Sequence, residues 1–197
     1  MTNNLSDEQL ILRYSKGELR SFEQIYERHK GALFRYCLRN FRQRALAEEC
    51  FQEIWLKIIK HRERYQPKSL FTTYLYRIAQ NTVIDFYRKD KKRSNDCEFD
   101  EQLVNSQTAN HDELQIERQQ IKSQVMELRK QISQLPFEQR NTLLLKLNSD
   151  LSLDEIARIL DCGKETVKSR LRYATGKLRG LLEGASKETV EPKEKSE

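Results

Sequence analysis

Apolar side chains recur every three or four positions along most of this chain, and this spacing restricts the fold more than any other feature. The clearest run has apolar side chains at Ala47, Cys50, Phe51, Ile54, Trp55 and Ile58. This is the period of an α-helix, and it excludes a strand, which would alternate at every second residue. Only 6 glycines and 3 prolines interrupt the 197 residues, and 34% of the residues are charged. The sequence therefore predicts an all-α fold.

Several classes of protein are excluded by the same composition. No apolar run is long enough to cross a bilayer, and residues 1–7 lack the basic and apolar regions of a secretory signal. The four cysteines form no CxxC or CxxH pair, and the three histidines have no metal-ligand spacing. We therefore expect a cytoplasmic, reduced protein without a metal or other cofactor. Nothing resembles a nucleophile triad or a phosphate-binding loop, so we expect no enzyme activity.

Charge and periodicity divide the chain into two helical blocks. Residues 1–93 carry 20 basic and 11 acidic side chains, and their apolar spacing predicts a bundle of about four helices ending in a basic run. Residues 94–123 are polar and net acidic; helical periodicity is absent over 94–110 and resumes at Leu114, which predicts a flexible linker running into a helix. Residues 124–184 form a second basic block, and we expect residues 185–197 to be a disordered tail. Two basic blocks favour a polyanionic partner, but solvated helix surfaces would give the same net charge.

Two capping boxes mark helix starts, one at Ser6–Gln9 and one at Ser152–Glu155. The second begins a short predicted helix over 153–160, and a tight turn at 161–163 separates it from a predicted helix over 164–182. Six basic residues and one acidic residue lie between positions 164 and 179. A short helix, a turn with a glycine and a longer basic helix are typical of a helix-turn-helix, whose second helix enters the major groove of DNA.

Two other functions are compatible with this pattern. A free-standing DNA-binding transcription regulator would dimerise through the first block and bind duplex DNA without other proteins. A helical adaptor would use its basic faces only as solvated surface, and replacing Lys168 or Arg172 by alanine would change nothing. Binding to duplex DNA in isolation distinguishes the regulator from a factor that works only in a larger assembly.

Six stretches share the residue pattern and order of one family: FEQIYERH (22–29), AEECFQEIW (47–55), FTTYLYRIAQN (71–81), LPFEQR (135–140), LSLDEIA (151–157) and TVKSRL (166–171). In this pattern the chain resembles the ECF (extracytoplasmic function) sigma factors of bacterial RNA polymerase. The first three stretches resemble the family's region two, and the last three resemble its region four. The resemblance implies an alternative sigma factor that binds core RNA polymerase, directs it to specific promoters and helps open the DNA for transcription initiation.

The resemblance also implies, position by position, which residues act. It assigns binding of core polymerase to Glu48, Glu49, Gln52 and Glu53. It assigns the −10 promoter element to region two (1–93), through Arg64, Tyr65, Lys68, Phe71, Tyr74, Arg77, Asn81, Arg88 and Lys89. It assigns the −35 element to the region-four helix-turn-helix (124–184), through Lys164, Thr166, Lys168, Ser169, Arg170, Arg172 and Tyr173.

The partners implied by the resemblance are core RNA polymerase, through its β′ coiled coil and β flap, promoter DNA, and an anti-sigma factor. The free protein is expected to be a monomer that binds no membrane. Three features depart from the family pattern. Leu46 replaces the acidic residue that usually opens the core-binding motif, and Tyr74 replaces a tryptophan. The turn Asp161-Cys162-Gly163 replaces a glycine–apolar–serine turn, so we expect a different turn geometry.

Overall fold

The computed structural model describes residues 5–41, 43–67, 69–93 and 125–188, with the backbone alone for 91–93 and 181–188. All regular secondary structure within these ranges is helical and no strand occurs, so the all-α prediction is confirmed for them. The first block comprises α1 (Asp7–Ser15), α2 (Leu19–Asn40), α3 (Arg44–Lys60), a 3₁₀ turn (Arg62–Arg64) and α4 (Phe71–Arg93). The second block comprises α5 (described over 125–133), α6 (Phe137–Asn148), α7 (Leu153–Leu160) and α8 (Lys164–Glu188).

None of the described helices is both long and apolar enough to cross a membrane. Most of the predicted linker, residues 94–124, lies outside the described residues, as do residues 189–197 of the predicted tail. Helix α8 continues to Glu188. Residues 185–188, which the sequence analysis places in a disordered tail, are therefore helical. Alanine, lysine and glutamate in this stretch are good helix formers and extend the preceding helix.

Both predicted capping boxes form at the start of a helix. At α1 the Ser6 hydroxyl accepts a hydrogen bond from the N–H of Gln9, and the Gln9 side chain accepts one from the N–H of Ser6. At α7 Ser152 and Glu155 make the same reciprocal pair, at 3.3 Å and 2.8 Å. Each box satisfies two backbone N–H groups that would otherwise lack an intrahelical acceptor, which fixes the helix starts at these residues.

Gly17 ends α1 because its backbone is left-handed, with a φ of +101°. The N–H of Gly17 donates to the carbonyl of Tyr14, and the N–H of Glu18 donates to the carbonyl of Arg13. This pair of bonds is the Schellman arrangement, which favours glycine at the left-handed position. The chain therefore reverses within three residues and starts α2 antiparallel to α1.

Aromatic side chains pack the first block together. The indole ring of Trp55 on α3 lies 5.0 Å from the ring of Tyr26 and 5.8 Å from that of Phe22, both on α2. Phe22 in turn contacts Tyr14 of α1 at 4.8 Å. These rings join three helices, and their tilted and edge-on geometry adds about 0.5–1.5 kcal/mol per pair to the burial of apolar area.

The second block has a smaller core of aliphatic side chains. Leu144 on α6, Ile156 on α7, and Val167 and Ala174 on α8 are fully buried. The last two are seven residues apart and face inward together, as the helical period predicts. A narrow buried stripe on α8 leaves most of that helix exposed.

The two blocks lie against each other. Helices α2 and α4 of the first block contact α6 and α7 of the second. The rings of Tyr87 on α4 and Phe137 on α6 stack with their centroids 4.2 Å apart. The guanidinium of Arg140 on α6 donates to the carbonyl of Asn40, the last residue of α2. One continuous set of buried side chains therefore extends through both blocks.

Candidate nucleic-acid interface

An acidic face runs along α3, where the sequence predicts contact with core polymerase. Glu49 and Gln52 are exposed, and Glu48 and Glu53 are half-buried. Glu48 accepts from Arg44 at 2.7 Å, and Glu53 lies 3.9 Å from Lys57, so these two carboxylates already have a basic neighbour on their own helix. Glu49 and Gln52 therefore present the most accessible polar atoms of the four.

Leu46 departs from the family pattern for a structural reason. Its side chain is half-buried and packs against the hydrophobic core. An aspartate here would bring a charge to the edge of apolar surface, where a leucine contributes packing. Leu46 therefore contributes to packing, and the first carboxylate on α3 is that of Glu48.

Three aromatic rings shape the loop before α4. The Tyr65 ring lies 5.1 Å from Tyr74 and 6.1 Å from Phe71, in edge-on geometry. Phe71 is 0% exposed and Tyr65 is buried, with its hydroxyl donating to the carbonyl of Ser69. Burial raises the pKa of Tyr65 to about 12, so this hydroxyl stays protonated. In this conformation neither ring is open to a base, and their direct contact with DNA stays a prediction; Lys68 lies outside the described residues.

The remaining predicted −10 residues are on the surface of α4 and of the 3₁₀ turn. Arg64, Arg77, Asn81, Arg88 and Lys89 are exposed, and Tyr74 is half-buried. Positions 81 and 88 lie on the same face of the helix as position 77 because they follow it by about one and three turns. This face combines cationic and amide donors, the groups that contact phosphates and unpaired bases.

The helix-turn-helix has the predicted helices, and a left-handed aspartate forms its turn. Asp161 follows α7 in a left-handed conformation, with φ 49° and ψ 51°. The N–H of Cys162 donates to the carbonyl of Ala157, which closes α7. Gly163 has no positive φ, so the turn depends on the aspartate, a residue type that tolerates this conformation better than most. Asp161 thus takes the left-handed conformation at the first position of the turn, where the family pattern has a glycine.

The exposed face of α8 carries most of the predicted −35 residues, namely Lys164, Thr166, Lys168, Arg172 and Tyr173. Positions 164, 168 and 172 follow one helical stripe. In the free chain the ammonium of Lys164 is 2.7 Å from Asp154, and that of Lys168 is 2.7 Å from Glu165. These exposed ion pairs are weak, so the cations are available to a stronger anion.

One predicted −35 residue faces the protein instead. Arg170 is half-buried and forms an ion pair with Glu138 of α6 at 2.9 Å, which contributes to the position of α8. Ser169 is half-buried, and its hydroxyl donates to the carbonyl of Thr166 within α8 itself. Among the described residues no cluster of His, Cys, Asp or Glu could hold a metal ion.

Comparison with known proteins identifies both blocks. The family models for Sigma-70 region 2 and Sigma-70 region 4 match residues 25–93 and 125–178, and together they cover more than half of the chain. The ECF RNA polymerase sigma-E factor of Haemophilus influenzae is 28% identical over 179 residues, which cover 87% of this chain and 92% of the relative. The ECF RNA polymerase sigma factor SigW of Bacillus subtilis is 27% identical over 184 residues, covering 87% and 94%. The chain belongs to the ECF sigma factors of bacterial RNA polymerase.

The fold agrees with this assignment. The sigma factor RpoE, solved in complex with the anti-sigma factor NepR from Bartonella quintana, superposes with a TM-score of 0.68 at 20% identity. The match covers 83% of this chain and 98% of that one. As an ECF sigma factor, the chain binds core RNA polymerase, directs it to specific promoters and helps open DNA for initiation. Sigma factors of this kind are non-catalytic initiation factors.

The start of α4 in this sigma factor is held by a contact that the sequence did not predict. The carboxylate of Glu8 on α1 accepts from the backbone N–H of Phe71 at 2.8 Å. Burial works to raise the pKa of Glu8, but this bond and its other hydrogen bonds together lower it. A carboxylate at a helix start is also favoured by the helix dipole. The only available signal was an acidic residue in the first turn of a capped helix, which does not reveal a partner 63 positions away.

A second missed cluster fixes α1 on α2. The ring Nε2 of His29 and the guanidinium of Arg28 each lie 2.7 Å from a different oxygen of Asp7. Bonding to His29, and then to Arg28, lowers the pKa of Asp7 despite its partial burial. His29 is thus a structural partner of Asp7, and its ring also contacts Phe71 at 5.5 Å.

Proposed function

We propose that the two blocks divide the work of initiation. Region two, residues 1–93, binds core polymerase through α3 and the −10 element through the loop at 64–71 and α4. Region four, residues 124–184, binds the −35 element through α8. This proposal is supported by three charged surfaces, one acidic and two basic, that are exposed on separate helices of this sigma factor. The chain is expected to act through these binding surfaces, as a non-catalytic initiation factor.

The polymerase contact centres on the exposed middle of α3. Glu49 and Gln52 lie on one face, and Leu56, four residues further on, is 58% exposed beside them. An exposed leucine flanked by acidic and amide groups suits a basic, amphipathic helix such as the β′ coiled coil. Leu56 thus adds an apolar contact that the motif-based assignment omitted. Glu48 and Glu53 would exchange the basic neighbours on their own helix for those of the polymerase.

At the −10 element, accessibility separates contact residues from supporting ones. Arg77, Asn81, Arg88 and Lys89 are proposed to touch the unwound strand, because their side chains are exposed. Tyr65 and Phe71 hold the loop against α1 and α4, and a direct role in base capture would require this loop to move. Asn81 offers both a donor and an acceptor to a base edge, which suits readout of a single strand.

At the −35 element, Lys164, Lys168 and Arg172 form the stripe that enters the groove. The guanidinium of Arg172 lies 5.5 Å from the ring of Tyr173, which holds both side chains near the surface they would share with DNA. Arg170 acts as a positioning residue through its ion pair with Glu138, and Ser169 stays a predicted contact. The cations exchange weak ion pairs for phosphates or base edges, which bind them more strongly.

Further partners follow from family membership. Region four is proposed to touch the β flap of the polymerase, and an anti-sigma factor is proposed as a regulator. The similar fold of the sigma factor RpoE, solved in complex with the anti-sigma factor NepR, supports this proposal. We expect the free chain to be a monomer and to work in the cytoplasm, where core polymerase and promoter DNA are found.

The polymerase contact is tested by co-elution with bacterial core RNA polymerase on size exclusion at moderate salt. Glu49→Lys reverses a charge in the middle of the acidic face and should abolish co-elution. Glu63→Lys makes the same charge change at an exposed residue of the 3₁₀ turn and should leave it intact. Co-elution by both variants would contradict the assignment of α3. Loss of co-elution in both variants would show a general effect of charge and would also contradict the assignment of α3.

A further inference from the structure

Helix α1 caps the start of α4. Leu70, the residue before α4, accepts the first bond of that helix, from the N–H of Tyr74 at 3.3 Å. Leucine has no side-chain oxygen, so it cannot satisfy any of the free N–H groups at the helix start. The carboxylate of Glu8 does so from α1, because its Oε1 accepts from the N–H of Phe71 at 2.8 Å. The first residue of α4 is thus fixed to a different helix.

The same helix holds both ends of the loop that precedes α4. Helix α1 contacts the 3₁₀ turn as well as α4. Where the loop leaves the 3₁₀ turn, the guanidinium of Arg62 lies 5.7 Å from the ring of Tyr14 on α1. Where the loop enters α4, Glu8 bonds to Phe71. The conformation of the loop therefore depends on its attachment to α1 at these two points.

Contacts within the loop connect it to the first turn of α4. The hydroxyl of Tyr65 donates to the carbonyl of Ser69 at 3.0 Å, and the Tyr65 ring packs against that of Phe71. Leu70, between Ser69 and Phe71, is 55% exposed in this arrangement. Because Tyr65 and Phe71 pack on each other, a movement of the first turn of α4 would move the loop with it.

The proposed reading of the −10 element depends on this loop and on the face of α4 that follows it. The first turn of a helix frays when its N–H groups lose their acceptor, and Phe71 begins that turn. Fraying would release the loop from α1. Ordering a released loop on binding costs free energy, which a loop that is already ordered avoids. A loop held in one shape also adapts less well to a wrong base, so it discriminates more strongly.

We propose that Glu8 is a positioning residue for recognition of the −10 element, and that it keeps the loop before α4 in the conformation that binds the unwound strand. This inference rests on the proposed assignment of the −10 element to region two. Glu8 acts through its bond to the N–H of Phe71 and not through a contact with DNA. Its removal should therefore weaken discrimination at the −10 element. The contacts that α3 makes with core polymerase and that α8 makes with the −35 element should stay unchanged.

Discrimination is measured with holoenzyme made from the full-length chain and bacterial core polymerase. A promoter is mapped with the wild-type protein, and copies of it are altered in the −10 element or in the −35 element. The affinity for the intact promoter, divided by that for each altered copy, gives one ratio per element. Glu8→Ala removes the acceptor of the Phe71 N–H and should lower the −10 ratio by about 3- to 30-fold, the equivalent of one lost helix cap. The −35 ratio and the affinity for core polymerase should equal those of wild type.

Two further variants separate positioning from stability. Gln9→Ala removes the acceptor of the Ser6 N–H, one residue further along α1, and should destabilise α1 while keeping both ratios at the wild-type value. Glu8→Gln keeps an oxygen that can accept from the Phe71 N–H and should retain most of the −10 discrimination. A melting curve of the free chain reports whether each variant is folded at the temperature of the binding measurement.

A Glu8→Ala holoenzyme with the −10 ratio of wild type would overturn the proposal. An equal fall of the −10 and −35 ratios would also overturn it, because it would mark a general loss of structure. The same holds for a Gln9→Ala effect as large as that of Glu8→Ala, and for Glu8→Gln behaving as Glu8→Ala does. A wild-type holoenzyme without any −10 discrimination would instead contradict the proposed function, and the inference with it.

Discussion

The two helices proposed to contact promoter DNA differ in how they use their side chains. On α8 of region four, five of the seven predicted residues are exposed, and the buried stripe is narrow. On α4 and its loop in region two, Tyr65 and Phe71 are buried, and the exposed contacts are the polar and cationic ones. The difference arises because α8 packs on two short helices, whereas α4 packs on α1, α3 and the second block together. An aromatic residue in region two therefore has core partners within reach, and one in region four does not.

This comparison teaches that residue type predicts a contact only where the fold leaves the residue free. Lysine and arginine are almost never fully buried unless paired, and the predicted basic positions on the two helices are exposed except for Arg170, which pairs with Glu138. Tyrosine and phenylalanine suit both a core and a stacked base, so their type alone could not decide. Tyr173 and Phe71 illustrate the two outcomes, at 60% and 0% exposure.

The largest expected effect is a difference in stability between substitutions of these two aromatic residues. Phe71→Ala removes a fully buried ring and should lower the free energy of unfolding by about 3–5 kcal/mol. Tyr173→Ala removes an exposed ring and should change it by less than about 0.5 kcal/mol, while weakening promoter binding by the holoenzyme. Chemical denaturation and promoter binding measure the two quantities. Equal destabilisation by both substitutions would contradict the distinction.

The next effect concerns which cation of α8 reads a base. Lys168→Ala or Arg172→Ala should cost about 1–3 kcal/mol at a cognate promoter if the side chain bonds a base edge. A uniform loss on all sequences, with a shallower salt dependence, would mark a phosphate contact instead. Lys16→Ala, an exposed cation at the end of α1, serves as the control and should bind promoter DNA normally. Binding by holoenzyme to matched and mutated −35 sequences makes the measurement.

The two capping boxes allow a matched test between the blocks. Ser6→Ala and Ser152→Ala each remove one side-chain cap and should each lower the free energy of unfolding by about 1 kcal/mol. The second should also weaken −35 binding, since α7 positions α8, and the first should not. A thermal unfolding series measures the stability effect. An unchanged free energy of unfolding for Ser152→Ala would contradict a stabilising role for this capping box.

The smallest expected effect is a pH dependence. The pKa of Asp7 is lowered by its bonds to His29 and Arg28, and that of Glu155 by its bonds to Ser152. A lowered folded-state pKa gives stability that is present above the ordinary value and is lost as the pH falls through the folded one. Asp7→Asn and Glu155→Gln should therefore each flatten the decline of unfolding free energy below about pH 4.5. A slope identical to that of wild type would refute the contribution of the carboxylate concerned.

Much of the fold was predictable because its signals are local. The capping boxes and the apolar spacing predicted the starts of α1 and α7 and the bounds 153–160 from a few neighbouring residues. The left-handed turn at Asp161 was not predictable, since the glycine two positions later offered a more usual place for it. The contact between the two blocks could not be predicted from the sequence because its partners are far apart in the chain. Tyr36 and Asn141 are 105 positions apart, and a polar residue within an apolar helix indicates a buried partner without naming it.

The division of labour between the two regions is tested most directly by footprinting one promoter with variant holoenzymes. A promoter is first mapped with the wild-type sigma factor and core polymerase. Nuclease protection then reports occupancy of the −35 element, and permanganate reactivity of thymines reports opening at the −10 element. Asn81→Ala should keep the −35 protection and lose most of the permanganate reactivity, whereas Arg172→Ala should lose the protection first. Equal loss of both signals in both variants would contradict the account.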